Sequence, residues 1–70
     1  MSRVQTVREM IPEYKANLDL LRERRLELLE ARKNEPSFER RHKLTERIVR
    51  LNKIIASTAA ALHDMMEYGR

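Results

Sequence analysis

Two spacings in the chain could place metal ligands on one face of a helix. Glu39 and His42, in the segment ERRH, have the Glu-x-x-His spacing that carboxylate-bridged metal sites use in helical bundles. His63 and Glu67 lie one helical turn apart. The Glu-x-x-His spacing occurs only once, and a solvent-facing His–Glu pair supplies only two ligands. The sequence therefore predicts no metal site.

The residues needed for catalysis do not form a recognisable arrangement. The single glycine, Gly69, excludes a glycine-rich phosphate loop, and the absence of cysteine excludes disulfides and thiolate zinc sites. Ser2, Ser37 and Ser57 have no local arrangement that suggests a nucleophile and its base. We therefore expect a protein that is not an enzyme, has no cofactor and takes no small-molecule substrate.

The basic residues are distributed unevenly along the chain, whose net charge is +4. Residues 22–53, which we call the turn half, carry eleven Lys/Arg and six Asp/Glu, a net charge of +5. The remaining residues, the open half, carry four and five, a net charge of −1. Seven arginines of the turn half fall on or beside the seam, the apolar stripe along which two predicted helices pack against each other. They form the candidate anion- or partner-binding site: Arg22, Arg24, Arg25, Arg32, Arg40, Arg41 and Arg47.

Five of the six carboxylates of the turn half occupy heptad positions c and f, which face away from the seam. Arg24 is predicted to lie near Arg47 with no acid in the same row, and such like charges repel mildly until an anion binds. The outward-facing acids are Glu23, Glu27, Glu30, Glu39 and Glu46.

Three interpretations of these arginines remain open. Arg25 and Arg32 could lay their methylene groups along the seam and extend the guanidinium into water. The arginine rows could instead bind phosphates or an acidic protein surface, for which the planar guanidinium is well suited. A buried Arg25 could also pair with a carboxylate of a second subunit.

The elements that position these side chains follow from a heptad pattern. With Val4 at position a, seven of the nine a and d residues of the first half are apolar, and the second half behaves likewise from Arg41. The short segment KNEPSFE between them allows only an antiparallel return. The sequence therefore predicts an all-α fold, an antiparallel two-helix hairpin. The predicted seam residues are Val4, Val7, Ile11, Tyr14, Leu18, Leu21, Arg25, Leu28 and Arg32, then Arg41, Leu44, Ile48, Leu51, Ile55, Thr58, Leu62 and Met65.

The predicted boundaries make residues 1–70 one domain. Helices cover 12–34 and 37–68, with a turn at 35–36, and Ser37 or Glu35 caps the second helix. Residues 1–11 form an arm or short helix, capped by Ser2 with Gln5, and a kink or break follows at Pro12.

Folding the chain about residues 35 and 36 predicts which seam residues face each other. Tyr14, the bulkiest of them, falls opposite the small Thr58 and Ala59, which supports this register. The other predicted pairs are Leu28–Leu44, Leu21–Leu51, Leu18–Ile55, Ile11–Leu62 and Val7–Met65.

Apolar residues outside the seam indicate that two helices are not the complete assembly. A chain of 70 residues without cysteine is too small for a large core of its own. A second copy or a larger protein would cover these residues and complete a helical bundle. The alanines of the segment ASTAAAL could allow close contact with such a partner, or could serve only to favour helix formation. The predicted oligomer or partner face consists of Leu20, Val49, Ile54, Ala61, Met66 and Tyr68.

The function that these features favour is that of a small non-enzymatic interaction or regulatory protein, which oligomerises or docks on a larger protein. The alternative is a nucleic-acid-binding hairpin that uses its basic turn half on phosphates. The segment MSRVQTVREM lacks the apolar region of a secretion signal. The longest low-charge run, IIASTAAALH, has about half the roughly 20 residues of a membrane span. We therefore expect a cytoplasmic protein without membrane contact.

Overall fold

The computed structural model describes residues 3–68, and the side chains of residues 6–68. Two helices, α1 (Arg3–Asn34) and α2 (Phe38–Tyr68), are joined by a linker of three residues and pack against each other. Because so short a linker returns the chain alongside itself, the helices are antiparallel and form a rod of 53 × 15 × 15 Å. The predicted all-α hairpin is confirmed.

The core lies along the seam between the two helices. Its buried members all occupy predicted a or d positions, because these positions recur on one face of each helix. None of the described side chains is fully buried, since a layer of two helices covers each seam residue from one direction only. The buried residues are Leu18, Leu28, Ile48, Leu51, Ile55 and Leu62, and the partly buried residues against them are Ile11, Tyr14, Leu21, Leu44 and Ala59.

The composition of this cluster agrees with the predicted seam, whereas the register of the facing pairs stays a prediction. Both members of four predicted pairs, from Leu28–Leu44 near the turn to Ile11–Leu62 near the chain ends, belong to it. Tyr14 also lines the same groove as Thr58, its predicted small neighbour.

The turn is held by hydrogen bonds of its own residues. The Ser37 hydroxyl accepts the backbone N–H of Arg40 at 3.4 Å, which caps the N-terminus of α2. The Glu35 carboxylate accepts the N–H of Ser37 at 3.1 Å, and the Glu35 N–H bonds to the Arg32 carbonyl at 3.3 Å. Asn34 is the last residue of α1, as predicted, and its amide donates to Glu30 Oε1 at 3.4 Å.

Of the kink or break predicted at Pro12, the break is wrong, because α1 is one continuous helix that contains this proline; the kink stays a prediction. Proline removes the backbone donor that would bond to the carbonyl of residue 8, but it leaves the seam positions on either side in phase. Ile11 and Tyr14 both pack against the core, and their packing favours a continuous helix across the missing hydrogen bond. Residues 3–11 are therefore part of α1 and do not form a separate short helix. The side chains predicted to cap this segment and to begin its seam lie outside those that the structure describes: Ser2, Val4 and Gln5.

Candidate interaction surfaces

One side of the hairpin carries a nearly continuous groove from the turn to the open half. It is formed by three shallow depressions of about 480, 300 and 600 Å³. The first two share Arg47 and Arg50, and the last two share Arg24 and Ile54. We call the side of the hairpin that these depressions occupy the groove side; Arg24, Arg47 and Ile54 are its g positions in the heptad.

The groove is basic on balance near the turn, where four cations line it together with Glu35 and Glu46. Arg40, Lys43, Arg47 and Arg50 follow each other on α2 at intervals of three and four residues, which places them in one row along the helix. We call this row the basic stripe. Among the described residues, no side chain of the stripe forms an ion pair or a side-chain hydrogen bond. The stripe is therefore open to an anionic partner.

The middle of the groove contains Arg24 from α1 beside Arg47 and Arg50 from α2. Arg24 Nη1 lies 3.0 Å from Glu27 Oε2. Arg24 thus has an acid within reach although none was predicted in its own row, because a residue three positions along a helix lies close enough for its carboxylate to bend towards the arginine.

The open-half end of the groove is mainly apolar. Leu20 and Ile54 line it together with Tyr14 and Leu21. Leu20 is 62% exposed and Ile54 is 50% exposed. Two large aliphatic side chains from different helices thus stand in solvent at one site, which is the signature of an incomplete apolar contact.

The opposite side of the hairpin contains a separate small groove of about 220 Å³. Arg32 and Arg41 line it with Phe38, His42 and Thr45. The seven candidate arginines are therefore divided rather than gathered into one cluster. Arg24, Arg40 and Arg47 line the groove side. Arg22 is exposed at an e position, which belongs to the opposite side.

Arg25 occupies a seam position and is half-buried. Its Nη1 donates to Asn52 Oδ1 of α2 at 3.3 Å, so its guanidinium reaches across the hairpin at the surface. This geometry agrees with the interpretation in which the arginine stem lies along the seam and the charged group stays near water. Arg32, at the next a position, is exposed.

The predicted partner face is also divided between the two sides. Leu20 and Ile54 line the groove, whereas Val49 and Met66 occupy b and e positions that turn towards the opposite side. Ala61 is partly buried, at a g position. The remaining predicted residue, the exposed Tyr68, is also at a g position. The predicted anion-binding site did not include Lys43 and Arg50 of the stripe, and the predicted partner face did not include the exposed Leu26, Leu29 and Phe38.

The histidines contact acids other than those that suggested metal binding. His42 Nε2 lies 3.1 Å from Glu46 Oε1, and His63 Nδ1 lies 3.9 Å from Asp64 Oδ1. Within residues 3–68, no group of three or more potential ligands is arranged to hold a metal ion. Over the same part of the chain, neither helix has an apolar stretch long enough to cross a membrane.

Comparisons of the chain with protein-family models, with curated proteins and with solved structures find no significant match.

Proposed function

We propose that this protein is a small non-enzymatic interaction protein whose helical hairpin is completed by apolar association, in the simplest case with a second copy of itself. One observation carries the proposal. Eight large hydrophobic side chains of the described region are 40–76% exposed, whereas six are buried. A hairpin that leaves eight large apolar side chains in solvent, beside six buried ones, lacks the layer that would cover them.

Covering these side chains lowers the free energy of association. Burying one Leu or Ile side chain fully contributes about 1.5–3 kcal/mol. Covering several half-exposed side chains would therefore offset part of the entropic cost of bringing two chains together, which is on the order of 4–15 kcal/mol. The two-helix seam by itself cannot reach these residues, because they occupy positions outside a and d.

Sedimentation equilibrium from micromolar to millimolar concentration, combined with thermal unfolding over the same range, tests the proposal. Association that stabilises the folded state makes Tm rise with protein concentration, whereas the Tm of a monomer is independent of it. We expect a rising Tm and a mass above that of one chain. A monomer mass and a constant Tm throughout would contradict self-association.

A second candidate function is binding of nucleic-acid phosphates, and the basic stripe supports it. Four cationic side chains lie in one row, none of them in an ion pair within the described part of the chain, and Arg24 faces them from α1; the carboxylates Glu35 and Glu46 line the same depression. The aromatic residue nearest the turn, Phe38, lines the opposite side, so base stacking would not contribute at the stripe. Binding would therefore be to phosphates and insensitive to base sequence.

Affinity for an RNA duplex and a DNA duplex at two salt concentrations tests this second function. Each phosphate contact adds about −0.9 to the slope of log K against log salt concentration on duplex DNA. The variant R47E/R50E should lose most of the affinity, whereas R22E/K33E, which changes the net charge equally but lies off the stripe, should lose much less. Equal losses would mean that only net charge matters and would reject a defined site.

A further inference from the structure

The exposed apolar residues of the groove side lie at the middle of the rod. Leu20 is within about two residues of the centre of α1, and Ile54 is within about two residues of the centre of α2, or about 3 Å at 1.5 Å per residue. Both line the same depression. A patch at the midpoint of a rod can contact its own copy across a two-fold axis while the two rods overlap along their whole length.

Two arrangements bring one groove side onto another with two-fold symmetry, in which each patch must match itself. A two-fold axis that runs along the rod places the turn of one copy on the turn of the other, so that α1 of one copy faces α2 of the other. An axis across the rod at its midpoint places the turn of each copy over the open half of the other. In this second case Leu20 faces the same residue of its partner, and so does Ile54.

Charge distinguishes the two arrangements. If the turn of one copy lay on the turn of the other, two basic stripes of four cations each would meet, and so would two turn halves, each of net charge +5. The crossed arrangement places each turn half over an open half of net charge −1. Exposed acids of that open half include Glu13 on α1 and Asp64 on α2. Like charges brought together repel, and opposite charges attract.

We infer that the groove side is a self-association surface on which two copies pack antiparallel, the turn of each over the open half of the other. This inference rests on the proposed function and adds to it the face and the orientation. The resulting four-helix dimer covers Leu20 and Ile54 at its centre and holds the two basic stripes at opposite ends.

The face is tested with substitutions matched in residue type and exposure. Leu20 (62% exposed) and Leu26 (64%) lie on α1, on the groove side and the opposite side, and Ile54 (50%) and Val49 (48%) form a similar pair on α2. L20D and I54D should raise the dimer dissociation constant at least tenfold. L26D and V49D should change it less than threefold, with helicity checked by circular dichroism for all four.

The outcomes separate this inference from the proposed function. If L26D or V49D disrupts the dimer while L20D and I54D do not, the groove side is not the interface, although self-association stands. If the unmodified protein is monomeric at millimolar concentration, both the inference and self-association fail.

The orientation is tested by distances between spin labels, since the chain has no native cysteine. Lys33 lies about 22 Å from the centre of α1, so a label on K33C should give a separation of about 44 Å or more between copies. A label on D19C, near the centre, should give less than about 30 Å, because only the width of about two helices of 10–12 Å separates the copies. A label separation well below about 44 Å for K33C would mean that the turns of the two copies lie on each other, and it would overturn the inferred orientation.

Discussion

The turn half and the open half of the hairpin are held together in different ways. Near the turn, the a positions Arg25, Arg32 and Arg41 are arginines, and hydrogen bonds of Glu35 and Ser37 fasten the linker. In the open half, the seam positions are apolar apart from Thr58, and no linker joins the helices there. The chain therefore tolerates charge in the seam where the linker already holds the helices together, and apolar packing continues there beside the arginines, since the turn half contains three of the six buried residues, Leu28, Ile48 and Leu51.

This difference also separates two tasks in one small molecule. The turn half presents cations without disrupting the fold, because the linker limits how far the helices can separate there. The open half has little net charge, and its packing depends on the other three buried residues, Leu18, Ile55 and Leu62, without help from the linker. Substitutions in each half can therefore test whether packing and tethering are divided in this way.

The largest effect is expected from L18A, which removes a buried seam residue at the beginning of the open half. It should lower the free energy of unfolding by about 2–5 kcal/mol, because the transfer energy of the side chain is lost and a cavity remains. Urea denaturation measures the change. L26A, at a residue that is mostly exposed, should change the free energy by less than about 0.5 kcal/mol, and equal losses for both variants would contradict the seam.

Substitution of the proline should have the next largest effect, and in the opposite direction. P12A restores a backbone donor within a continuous helix at an exposed position, so it should raise the free energy of unfolding by about 2 kcal/mol. Amide hydrogen exchange of the neighbouring residues should slow. K15A, at another exposed position of α1, is the control and should have little effect; destabilisation by P12A would instead indicate that α1 is interrupted there.

A smaller effect is expected at the turn. S37A removes the hydroxyl that accepts the Arg40 N–H at the start of α2 and should lower the free energy of unfolding by about 1 kcal/mol. S57A, at an exposed position inside α2, should be neutral or slightly stabilising because alanine favours helix. The changes in the free energy of unfolding caused by S37A and S57A should therefore differ in sign or size when both are measured under identical denaturation conditions. Identical results would show that the linker does not depend on this cap.

The smallest effect concerns the contact between Arg25 and Asn52. A double-mutant cycle of R25A, N52A and R25A/N52A should give a coupling energy of about 0.5 kcal/mol, since the hydrogen bond is long and lies at the surface. Chemical denaturation of the four proteins measures it. A coupling energy indistinguishable from zero would mean that Arg25 contributes to stability only through the packing of its methylene groups.

The predicted fold agrees with the structure because the heptad pattern depends on positions within each helix. The seam residues from Ile11 to Leu62 and the helix end at Asn34 follow from local spacing and capping chemistry. Pro12 was misjudged because its local penalty was weighed without the seam packing on either side of it. Long-range contacts of this kind routinely outweigh the preference of a single residue.

The candidate site was predicted less accurately, for a geometric reason. Arginines at e and g positions were grouped because both flank the seam, but in a hairpin these positions lie on opposite sides. Lys43 and Arg50, at c positions, join the groove-side row, whereas Arg22 does not line it. Residues on two helices can be assigned to one surface only when the rotation of both helices is known.

The sequence by itself determined that this chain forms two long helices, where it turns, which residues occupy the seam and in which half the positive charge accumulates. These properties depend on spacing along the chain and on the chemistry of a few neighbouring residues. Only the tertiary structure decided that α1 continues through Pro12, that Arg25 reaches Asn52, and that the cations divide into a groove-side stripe and a second group. Each of these depends on the distance between residues of different helices, or on packing strong enough to outweigh a local preference.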